Sequence, residues 1–360
     1  MTGPNTATTA GAQMATADAL RRFATDVFVR VGMPPAPAGT VADVLVWANL
    51  RGMDSHGVTR IPRYAELMAV GDVNPNPVMT ARLDTPAAVV LEADRAAGPV
   101  AMTEAMARAV SKAREVAVGL ALVRGTTHTA ALGYYTLRAV QDGMVGIAVS
   151  ASGPNMVYHG ARAAGVSTNP ISIAVPGGDR GPLLLDMATS VVSLGSLVQA
   201  RKTGQAIPAG AAVDGNGNPT TDPQAARIPL PLGGPKGSGL SLMIECLTSL
   251  VVANPILAEV LEETARGRQH RQNALVLAID LARFGDPAMF RREVARLIAA
   301  LKALPRQPEV DEILMPGERG RRTLERRSRE GIPIPRAIVD ELHALADRLG
   351  VTMFPVSPRP

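Results

Sequence analysis

The sequence predicts an α/β protein whose two ends are helical. Between about residues 80 and 180, short β-rich runs alternate with stretches of helical periodicity, as they do in α/β domains. The flanking regions carry apolar residues at helical spacing. With 360 residues and 46% apolar content, the chain can bury a large core. We therefore expect a sheet domain, with the N- and C-terminal helices gathered into a cap.

The N-terminal region is predicted to be a tail followed by three helices. Residues 1–15, rich in Thr, Ala and Gly, are expected to form a disordered tail, and residues 16–80 belong to the helical cap. The first helix runs from Thr16 to the closing Gly32, the second from about Pro37 to Asn49, and the third begins near Thr59, which can cap it, with Pro62 in its first turn.

Residues 81–286 are predicted to form the α/β domain. Strands are expected over AAVVLEAD, GLALVRG, VGIAVSAS, ISIAVPG, the start of LLLDMATSVVSLGSLVQA, and NALVLAIDLARFG. The helical segments PVAMTEAMARAVSKAREVA and LGYYTLRAVQDG separate the first three strands. A loop rich in Gly, Pro, Asn and Asp, Ile207 to Gly239, precedes an apolar helix over Leu240 to Ala253.

Residues 287–360 are predicted to be helical and to complete the cap. Within them, residues 317–330, GERGRRTLERRSRE, hold six Arg and three Glu. We interpret this segment as a solvated surface helix or turn with internal ion pairs, and a nucleic-acid patch is the alternative. The net charge of +5 arises from 37 basic and 32 acidic residues mixed along the chain, and aromatic residues make up only 3%. We therefore expect no nucleic-acid partner.

Other functional classes are disfavoured by what the sequence lacks. Cys246 is the only cysteine, which excludes an intrachain disulfide and a Cys-based zinc motif, and no metal site is predicted. The N-terminus does not have the pattern of a signal peptide. The longest uncharged apolar run, Met187 to Ala200, has fourteen residues, too few to span a membrane. We expect a soluble, cytoplasmic protein with no membrane partner.

A dinucleotide site of the Rossmann type is not predicted. Such a site needs G-x-G-x-x-G after a strand, because the glycines let the backbone approach the pyrophosphate. The nearest segments, GNGNPT and GSGLSL, do not complete the pattern, and there is no Walker-type motif. The acidic residue that distinguishes NAD from NADP in Rossmann folds therefore has no counterpart here.

The segment RGMDSHGVTRIPRY combines residue types that suit carbonyl chemistry. His56 can transfer a proton, and Ser55 or Asp54 can fix its tautomer. Arg60 and Tyr64 are i,i+4 neighbours on one helix face, and they supply a fork for a carboxylate and a hydroxyl. A polar surface loop is an equally good interpretation. A Ser55–His56 hydrolase is a weaker one, because adjacent side chains point apart and no G-x-S-x-G elbow is present.

Further candidates lie in the central region. His128 follows a predicted strand and precedes a helix, where α/β proteins often bind ligands, although a structural histidine is the commoner case. Asp186 ends a strand and can cap a helix. Lys236 lies among four glycines, a pattern that suits a phosphate or carboxylate, although a flexible turn explains it as well.

Eight segments in order resemble the type 2 malate/L-lactate dehydrogenase family: RGMDSHGVTRIPRY, THTAALGYY, STNPISIAVP, LDMATS, IPAGAAVDGNGNPTTDP, LGGPKGSGLSLMIE, LAID and MPGE. The resemblance runs from about Thr16 to Val351. This family includes ureidoglycolate and sulfolactate dehydrogenases and a piperideine-2-carboxylate reductase. It implies a nicotinamide-dependent oxidoreductase with its own non-Rossmann fold, usually a homodimer, and an active site between the sheet domain and the helical cap.

The resemblance also implies roles for individual residues. The catalytic candidates are His56 and His128, one of which passes the proton, with Ser55 in support; the substrate-binding candidates are Arg60, Tyr64 and Thr168. The cofactor-binding candidates are His128, Thr129, Ala130, Ala131, Leu132, Ser152, Asp186, Met187, Ala188, Lys236, Gly237, Pro316, Gly317 and Glu318. The cofactor is NAD or NADP.

Some positions depart from the family pattern. Most members have Phe at the position of Thr129 and Asn or Ser at that of Thr127. The stretch from Ala130 to Leu132 is similar to the imine reductases, whereas Tyr134 and Tyr135 are similar to the dehydrogenases. Members commonly carry a charged residue where this chain has Ser196. These differences leave the substrate open.

The expected reaction is hydride transfer between nicotinamide and C2 of a 2-hydroxy or 2-oxo acid. Arg60 would pair with the carboxylate of this small substrate, and a histidine would move the proton. The alternative substrate is a cyclic or N-alkyl 2-imino acid, reduced with NADPH.

Overall fold

The computed structural model describes residues 12–178, 181–269 and 271–358. The chain divides into two compact units, Met1–Pro77 with Arg319–Pro360, and Val78–Glu318. The predicted boundary at residue 80 lies close to the observed one at Val78. The predicted boundary at residue 287 lies earlier than the observed one at Arg319, because the helix that begins at Pro287 belongs to the sheet unit. We call the two units the helical unit and the sheet unit.

The helices in chain order are α1 (Ala17–Arg30), α2 (Pro35–Leu50), α3 (Ile61–Ala69), α4 (Gly98–Val116), α5 (Gly133–Gln141), α6 (Leu194–Thr203), α7 (Pro235–Glu245), α8 (Leu257–Leu261), α9 (Pro287–Lys302), α10 (Glu318–Glu330) and α11 (Arg336–Leu349). Short 3₁₀ turns cover Asp54–His56, Val58–Arg60, Arg266–Arg268 and Leu281–Arg283, and a π-helical turn, Cys246–Leu250, continues α7.

The strands in chain order are β1 (Gln13–Ala15), β2 (Thr80–Asp84), β3 (Ala88–Glu92), β4 (Val118–Thr126), β5 (Met144–Ala151), β6 (Met156–Val157), β7 (Ala164–Val166), β8 (Ile171–Val175), β9 (Leu183–Met187), β10 (Ala212–Val213), β11 (Pro219–Thr220), β12 (Ile228–Pro229), β13 (Gln272–Asp280), β14 (Ile332–Ile334) and β15 (Ser357–Pro358).

The first helix of the helical unit begins one residue after the predicted start at Thr16, and Thr16 is the N-cap of α1. Its hydroxyl accepts a hydrogen bond from the amide of Ala19 at 3.2 Å. The apolar side of α1, including Leu20 and Phe23, is buried, and α1 packs against α2. Helix α2 begins two residues earlier than expected, at Pro35, because a proline at the first helical position removes only an amide that would have no partner.

Short strands correct two expectations for the helical unit. Residues 13–15 form β1 instead of ending a disordered tail, while residues 1–11 of that predicted tail lie outside the described residues. Strand β1 pairs antiparallel with β14 and β15, so the C-terminal region is not wholly helical either. Each of these strands is two or three residues long and depends on a partner more than 300 residues away in sequence, for instance Ala15 opposite Ile332.

The sheet unit is built on seven strands in the order β2-β3-β4-β13-β5-β8-β9. The β3–β4 pair is parallel, and the other neighbouring pairs are antiparallel. The six strands that the sequence predicts are all present. The additional edge strand, β2, was missed because all five of its residues are exposed and it therefore has no apolar periodicity.

The register brings several chain segments to one end of this sheet. Thr126 ends β4 opposite Gln272, and Ala151 ends β5 opposite Asn273. Ile171 begins β8 and lies opposite both Val149 and Met187, the last residue of β9. The loops that follow β4, β5 and β9, and the one that precedes β8, therefore leave from the same end. We call it the loop end of the sheet.

Candidate active site

The DSHG motif of the helical unit is held by a buried asparagine at the end of α2. Oδ1 of Asn49 accepts a hydrogen bond from the amide of Val58 at 2.8 Å, and its Nδ2 donates to Oδ1 of Asp54 at 2.7 Å. A Cβ at Gly57 would lie 2.0 Å from Asn49 Oδ1, so only glycine fits there. Asn49 thus fixes both the 3₁₀ turn that ends at His56 and the one that begins at Val58.

Arg327 of α10 binds the same motif. Its Nη1 and Nη2 donate to the two carboxylate oxygens of Asp54 at 2.6 and 3.1 Å, and Nη1 also donates to the carbonyl of Asn49. Its side chain is 11% exposed. Asp54 is therefore committed to this bidentate pair. Although α10 is a surface helix with an internal ion pair, Arg321–Glu325, as predicted, Arg327 is not solvated.

His56 is held in its neutral form. Its Nδ1 lies 3.0 Å from Oγ of Ser55, so Ser55 and not Asp54 contacts the ring. Burial, together with the positive charge of Arg60, lowers the pKa of His56 from 6.5 to about 4. At neutral pH the imidazole is therefore uncharged and suited to hydrogen bonding, while its affinity for a proton is low.

The guanidinium of Arg60 is held at Nε, and its Nη groups are available to a ligand. Its Nε donates to the carbonyl of Ser55 at 2.7 Å, and among the described residues no carboxylate pairs with its Nη groups. It immediately precedes α3, which begins at Ile61 and not near Thr59 as predicted. A half-buried guanidinium without an anionic partner is an expected feature of a carboxylate-binding site.

Tyr64 is buried in α3, with its ring 6.4 Å from that of Phe28. Burial raises the pKa of its hydroxyl, and the charge of Arg60 lowers it in part. The phenol therefore stays protonated. Since the charge of Arg60 acts on both His56 and Tyr64, the structure brings these three predicted residues together.

In the sheet unit, the His128 loop leaves the loop end of the sheet immediately after β4. The hydroxyls of Thr126 and Thr127 both donate to the carbonyl of Ala96, at 3.0 and 3.1 Å. A Cβ at Gly98, the first residue of α4, would lie 2.3 Å from the carbonyl oxygen of His128. Helix α4 thus packs directly on the backbone of His128, whose side chain is half-buried.

The cofactor candidates after His128 form a tight, buried turn. Thr129, Ala130, Ala131 and Leu132 are all at most 5% exposed. The hydroxyl of Tyr135 donates to the carbonyl of Thr129 at 2.7 Å. Ala130 has a φ of 55°, a left-handed conformation that raises the energy of a non-glycine residue by roughly 1 kcal/mol or more.

Asp186 caps a helix, but not the one that follows it in sequence. Its Oδ2 accepts a hydrogen bond from the amide of Gly133, the first residue of α5, at 2.8 Å. The contact joins the end of β9 to the His128 loop. Asp186, Met187 and Ala188 therefore lie beside that loop at the loop end of the sheet, and each is half-buried.

Ser152 and Thr168 belong to a polar network that sequence reasoning missed. Oγ of Ser152 lies 2.6 Å from Oγ of Ser167, and its amide donates to Oδ1 of Asn169 at 3.2 Å. The amide of Thr168 donates to Oδ1 of Asn155 at 2.9 Å. Asn169 is fully buried, so the STN segment, Ser167 to Asn169, holds both candidates in place.

Lys236 lies in the first turn of α7, not in a flexible loop. The sequence signal for this was Pro235 directly before Lys236, because proline is favoured at the first position of a helix. In the structure Gly234 is the N-cap residue, with a φ of 61°. A Cβ at Gly237 would lie 2.4 Å from the carbonyl oxygen of Thr189, so α7 packs closely against the segment after β9. The side chain of Lys236 is exposed.

The Pro316–Glu318 turn lies away from the other cofactor candidates. The carbonyl of Pro316 accepts a hydrogen bond from the amide of Leu184 at 3.1 Å. Leu184 precedes Met187 by three residues along β9, so this contact lies roughly 10 Å from the loop end. Glu318 pairs with Lys302 at 2.9 Å and accepts a hydrogen bond from the amide of Met315. Its carboxylate therefore has a structural role.

Comparison with known proteins identifies the family. The family model described as malate/L-lactate dehydrogenase matches residues 15–343. The chain belongs to the malate/L-lactate dehydrogenase family. The malate dehydrogenase of Pyrococcus horikoshii is 36% identical over 344 residues, 93% of this chain and 95% of that protein. The L-sulfolactate dehydrogenase of Methanocaldococcus jannaschii is 34% identical over 336 residues, 92% of this chain and 96% of that protein.

Solved structures agree with this membership. The malate dehydrogenase of Pyrococcus horikoshii OT3 superposes with a TM-score of 0.87 at 32% identity, covering 95% of this chain and 97% of that one. The Δ1-piperideine-2-carboxylate reductase of Pseudomonas syringae has a TM-score of 0.82 at 29% identity, covering 93% of this chain and 100% of that one. This malate/L-lactate dehydrogenase family member is an oxidoreductase that acts on a CH–OH group. Among its described residues, no helix is long and apolar enough to cross a membrane.

Replacing Arg60 should raise the pKa of His56. In Arg60→Gln, NMR titration is expected to give a value above 4 but still below 6.5, because burial, the larger cause, remains. As the pH falls, His56 becomes protonated at a higher pH in the unfolded chain than in the native protein. Protonation therefore stabilises the unfolded chain, and the free energy of unfolding of the native protein falls as the pH drops from 6.5 to 4. Arg63→Gln, an exposed neighbour, is the control, and an unchanged His56 pKa in Arg60→Gln would contradict this account.

Replacing Arg327 should loosen the DSHG motif. Arg327→Leu is expected to lower the free energy of unfolding by about 1–2 kcal/mol, since Asp54 is half-exposed and water replaces part of the lost pair. It should also reduce kcat/KM, because His56 loses its support. The control is Arg326→Leu, at an exposed residue on the same helix. Urea unfolding and steady-state kinetics are measured for both variants. Equal effects of the two substitutions would show that Arg327 does not position the motif.

Proposed function

We propose that the enzyme transfers hydride between a nicotinamide cofactor and C2 of a 2-hydroxy or 2-oxo acid. The observation that carries this proposal is Arg60, a guanidinium without an anionic partner among the described residues, beside a neutral His56. A small substrate with a carboxylate next to its reacting carbon fits such a pair. Relatives named malate and sulfolactate dehydrogenases support the same substrate class.

The residues at the loop end of the sheet fit a nicotinamide dinucleotide. The exposed ammonium of Lys236 suits a phosphate of the cofactor, and the missing side chain at Gly237 keeps α7 close to Thr189. Ser152, Met187 and Ala188 lie at the same end and offer backbone and hydroxyl groups. We propose that these residues hold the cofactor, which supplies the hydride when bound. The mainly antiparallel sheet supports a mode of binding different from that of a Rossmann fold.

For the remaining cofactor candidates we propose indirect roles. Asp186 holds the His128 loop through Gly133, and the Pro316–Glu318 turn supports the outer edge of β9. We propose NAD as the cofactor, because a relative of the same family is named as NAD⁺-dependent. NADP remains the alternative to compare in the assay.

We propose that His128 transfers the proton and that His56 orients the substrate oxygen. With a pKa of about 4, His56 carries a proton in roughly one molecule in a thousand at pH 7, which makes it a poor acid for carbonyl reduction. His128 is half-buried on a rigid loop, as a residue that must meet a substrate should be. Arg60 holds the carboxylate, Tyr64 supports Arg60 and Thr168 contacts the substrate.

A second substrate class is a cyclic 2-imino acid. The similarity to Δ1-piperideine-2-carboxylate reductase supports it, as does the small-residue stretch from Ala130 to Leu132. The same residues would serve, with the proton delivered to nitrogen in place of oxygen. A panel of 2-oxo acids, with and without amines, followed through NADH and NADPH oxidation, separates the two classes.

We propose that the enzyme is a cytoplasmic homodimer. The support for a dimer is an apolar stripe along α7 and its π-helical continuation, where Met243, Leu247 and Leu250 are 51%, 52% and 52% exposed. Leu240 and Val251 extend the stripe at helical spacing. An exposed apolar face of this kind is typical of an interface between subunits. The single cysteine is compatible with a reducing compartment.

The two histidines should differ in their kinetics. His128→Asn is expected to reduce kcat by about 100-fold or more, because the proton then has no donor. His56→Gln, which keeps a hydrogen-bond donor and acceptor, should mainly raise KM. If His56→Gln reduces kcat by that factor and His128→Asn mainly raises KM, the assignment is reversed; if neither substitution reduces turnover, the proposed function is wrong.

The apolar stripe should determine the oligomeric state. The double substitution Met243→Glu and Leu247→Glu is expected to convert the dimer to a monomer, because four buried carboxylates would then face each other across the interface. Light scattering after gel filtration measures the mass. Val70→Glu, at an isolated exposed valine, is the control. A native protein that is already monomeric, or a double variant that stays dimeric, contradicts the proposed interface.

A further inference from the structure

A polar cleft opens in the sheet unit where β3 and β4 end and β13 begins. Its volume is about 500 Å³, and all the residues that line it belong to the sheet unit. Four arginines and two carboxylates dominate the lining: Arg95, Arg124, Arg266, Arg271, Glu92 and Asp94. None of these residues belongs to the candidate active site. We call it the arginine cleft.

Arg271 is a buried cation that no carboxylate neutralises by contact. It is 8% exposed. Its Nη1 donates to Oδ1 of Asn254 at 3.0 Å and its Nη2 to the carbonyl of Pro255 at 2.9 Å, both uncharged acceptors. Among the described residues no carboxylate lies within ion-pair distance of it. Burying a charge with only neutral partners is unfavourable, unless an anion from outside completes the site.

A second guanidinium converges on the same acceptor. Nη2 of Arg266 donates to Oδ1 of Asn254 at 3.1 Å, so two positive charges share one neutral oxygen. Arg266 also pairs with Glu259 at 3.2 Å. Burial first, and then the charges of Arg266 and Arg124, lower the pKa of Arg271 against the opposing effect of Glu259 and Glu245. Repulsion among these arginines is therefore incompletely offset within the chain.

Arg124, which lines the cleft, carries a donor without a partner in the part of the chain that the structure describes. It pairs with Glu92, a carboxylate that also accepts from Arg82 at 3.3 Å. Its Nε is buried, and among the described residues it has no hydrogen-bond partner. A buried donor without a partner is uncommon in native structures and often marks a place for a ligand.

The acceptor that gathers the two arginines is itself rigid. Nδ2 of Asn254 donates to Oδ1 of Asn273 at 2.8 Å, which fixes the amide so that its oxygen faces Arg266 and Arg271. Nδ2 of Asn273 donates in turn to the carbonyl of Asn254 at 2.8 Å and to Oγ of Ser249 at 3.0 Å. The site is thus held in shape before any ligand arrives.

We propose that the arginine cleft binds the phosphate group of a small molecule. Guanidinium groups match phosphate oxygens in geometry and charge, and the volume admits a molecule larger than phosphate alone. Both an inorganic phosphate and a phosphate on a nucleotide have this chemistry. The proposal does not depend on which hydroxy or imino acid the enzyme uses, because none of the cleft residues carries a proposed role in the reaction.

Isothermal titration of the full-length enzyme with inorganic phosphate, and separately with 2′,5′-ADP, tests the proposal. Native enzyme is expected to bind at least one probe below about 10 mM, and Arg266→Gln and Arg271→Gln should each weaken binding about tenfold or more. Arg292→Gln, which removes the same charge from an exposed position on α9, should leave binding unchanged. Arg266 is half-exposed, so its variant keeps the test valid even where Arg271→Gln does not fold.

The outcomes separate the sources of the phosphate. Equal affinity for both probes, lost in Arg266→Gln, supports a site for free phosphate; about tenfold tighter binding of 2′,5′-ADP, lost in the same variant, supports a nucleotide phosphate. The proposal is overturned if neither probe binds, or if binding survives in both Arg266→Gln and Arg271→Gln. It is also overturned if Arg266→Gln leaves phosphate binding intact and changes only the mass in light scattering, because the cleft would then hold a second copy of the chain.

Discussion

Strand β13 runs antiparallel between β4 and β5, and the position of the cofactor candidates depends on this one insertion. Because both neighbours are antiparallel to it, β4 and β5 point the same way and end at the same edge. Because the pairs β5–β8 and β8–β9 are also antiparallel, β8 begins and β9 ends at the same loop end of the sheet. Residues as far apart in sequence as His128 and Met187 are thereby gathered without a glycine-rich phosphate loop. Asn273, near the start of β13, secures the arrangement by accepting a hydrogen bond from the amide of Gly125 at 3.0 Å.

Three arginines in this enzyme illustrate two ways of holding a charge that is wholly or partly removed from water. Arg327 is matched by the carboxylate of Asp54 and stabilises the local fold. Arg60 and Arg271 are held by uncharged oxygens and keep donors available. Because removing a guanidinium from water is unfavourable, a fold keeps unmatched arginines mainly where an anion completes them. This cost favours carboxylate binding at Arg60 and phosphate binding at Arg271.

The sequence alone predicts the α/β class, six strands of the large sheet and the family, since these depend on local periodicity and on ordered motifs. It does not predict β1, whose partner is Ile332–Ile334, or the contact between Arg327 and Asp54, which are 273 residues apart in sequence. Long-range pairing of this kind leaves no local pattern. The position of Lys236 at a helix start is partly predictable. The proline of the preceding Gly-Gly-Pro indicates the start of a helix, whereas the glycines around it are equally typical of a flexible loop. The polar network around Asn169 is not predictable from the sequence, because Asn and Ser are also common in simple turns.

Hydrogen exchange with and without NADH tests most directly the claim that the loop end of the sheet is one cofactor site. The segments 126–133, 186–190 and 232–238 are expected to become protected together, at the same NADH concentration, because they would contact a single ligand. Protection should be lost in parallel in Lys236→Gln. Protection confined to one of the three segments, or found only around the arginine cleft, would contradict the account.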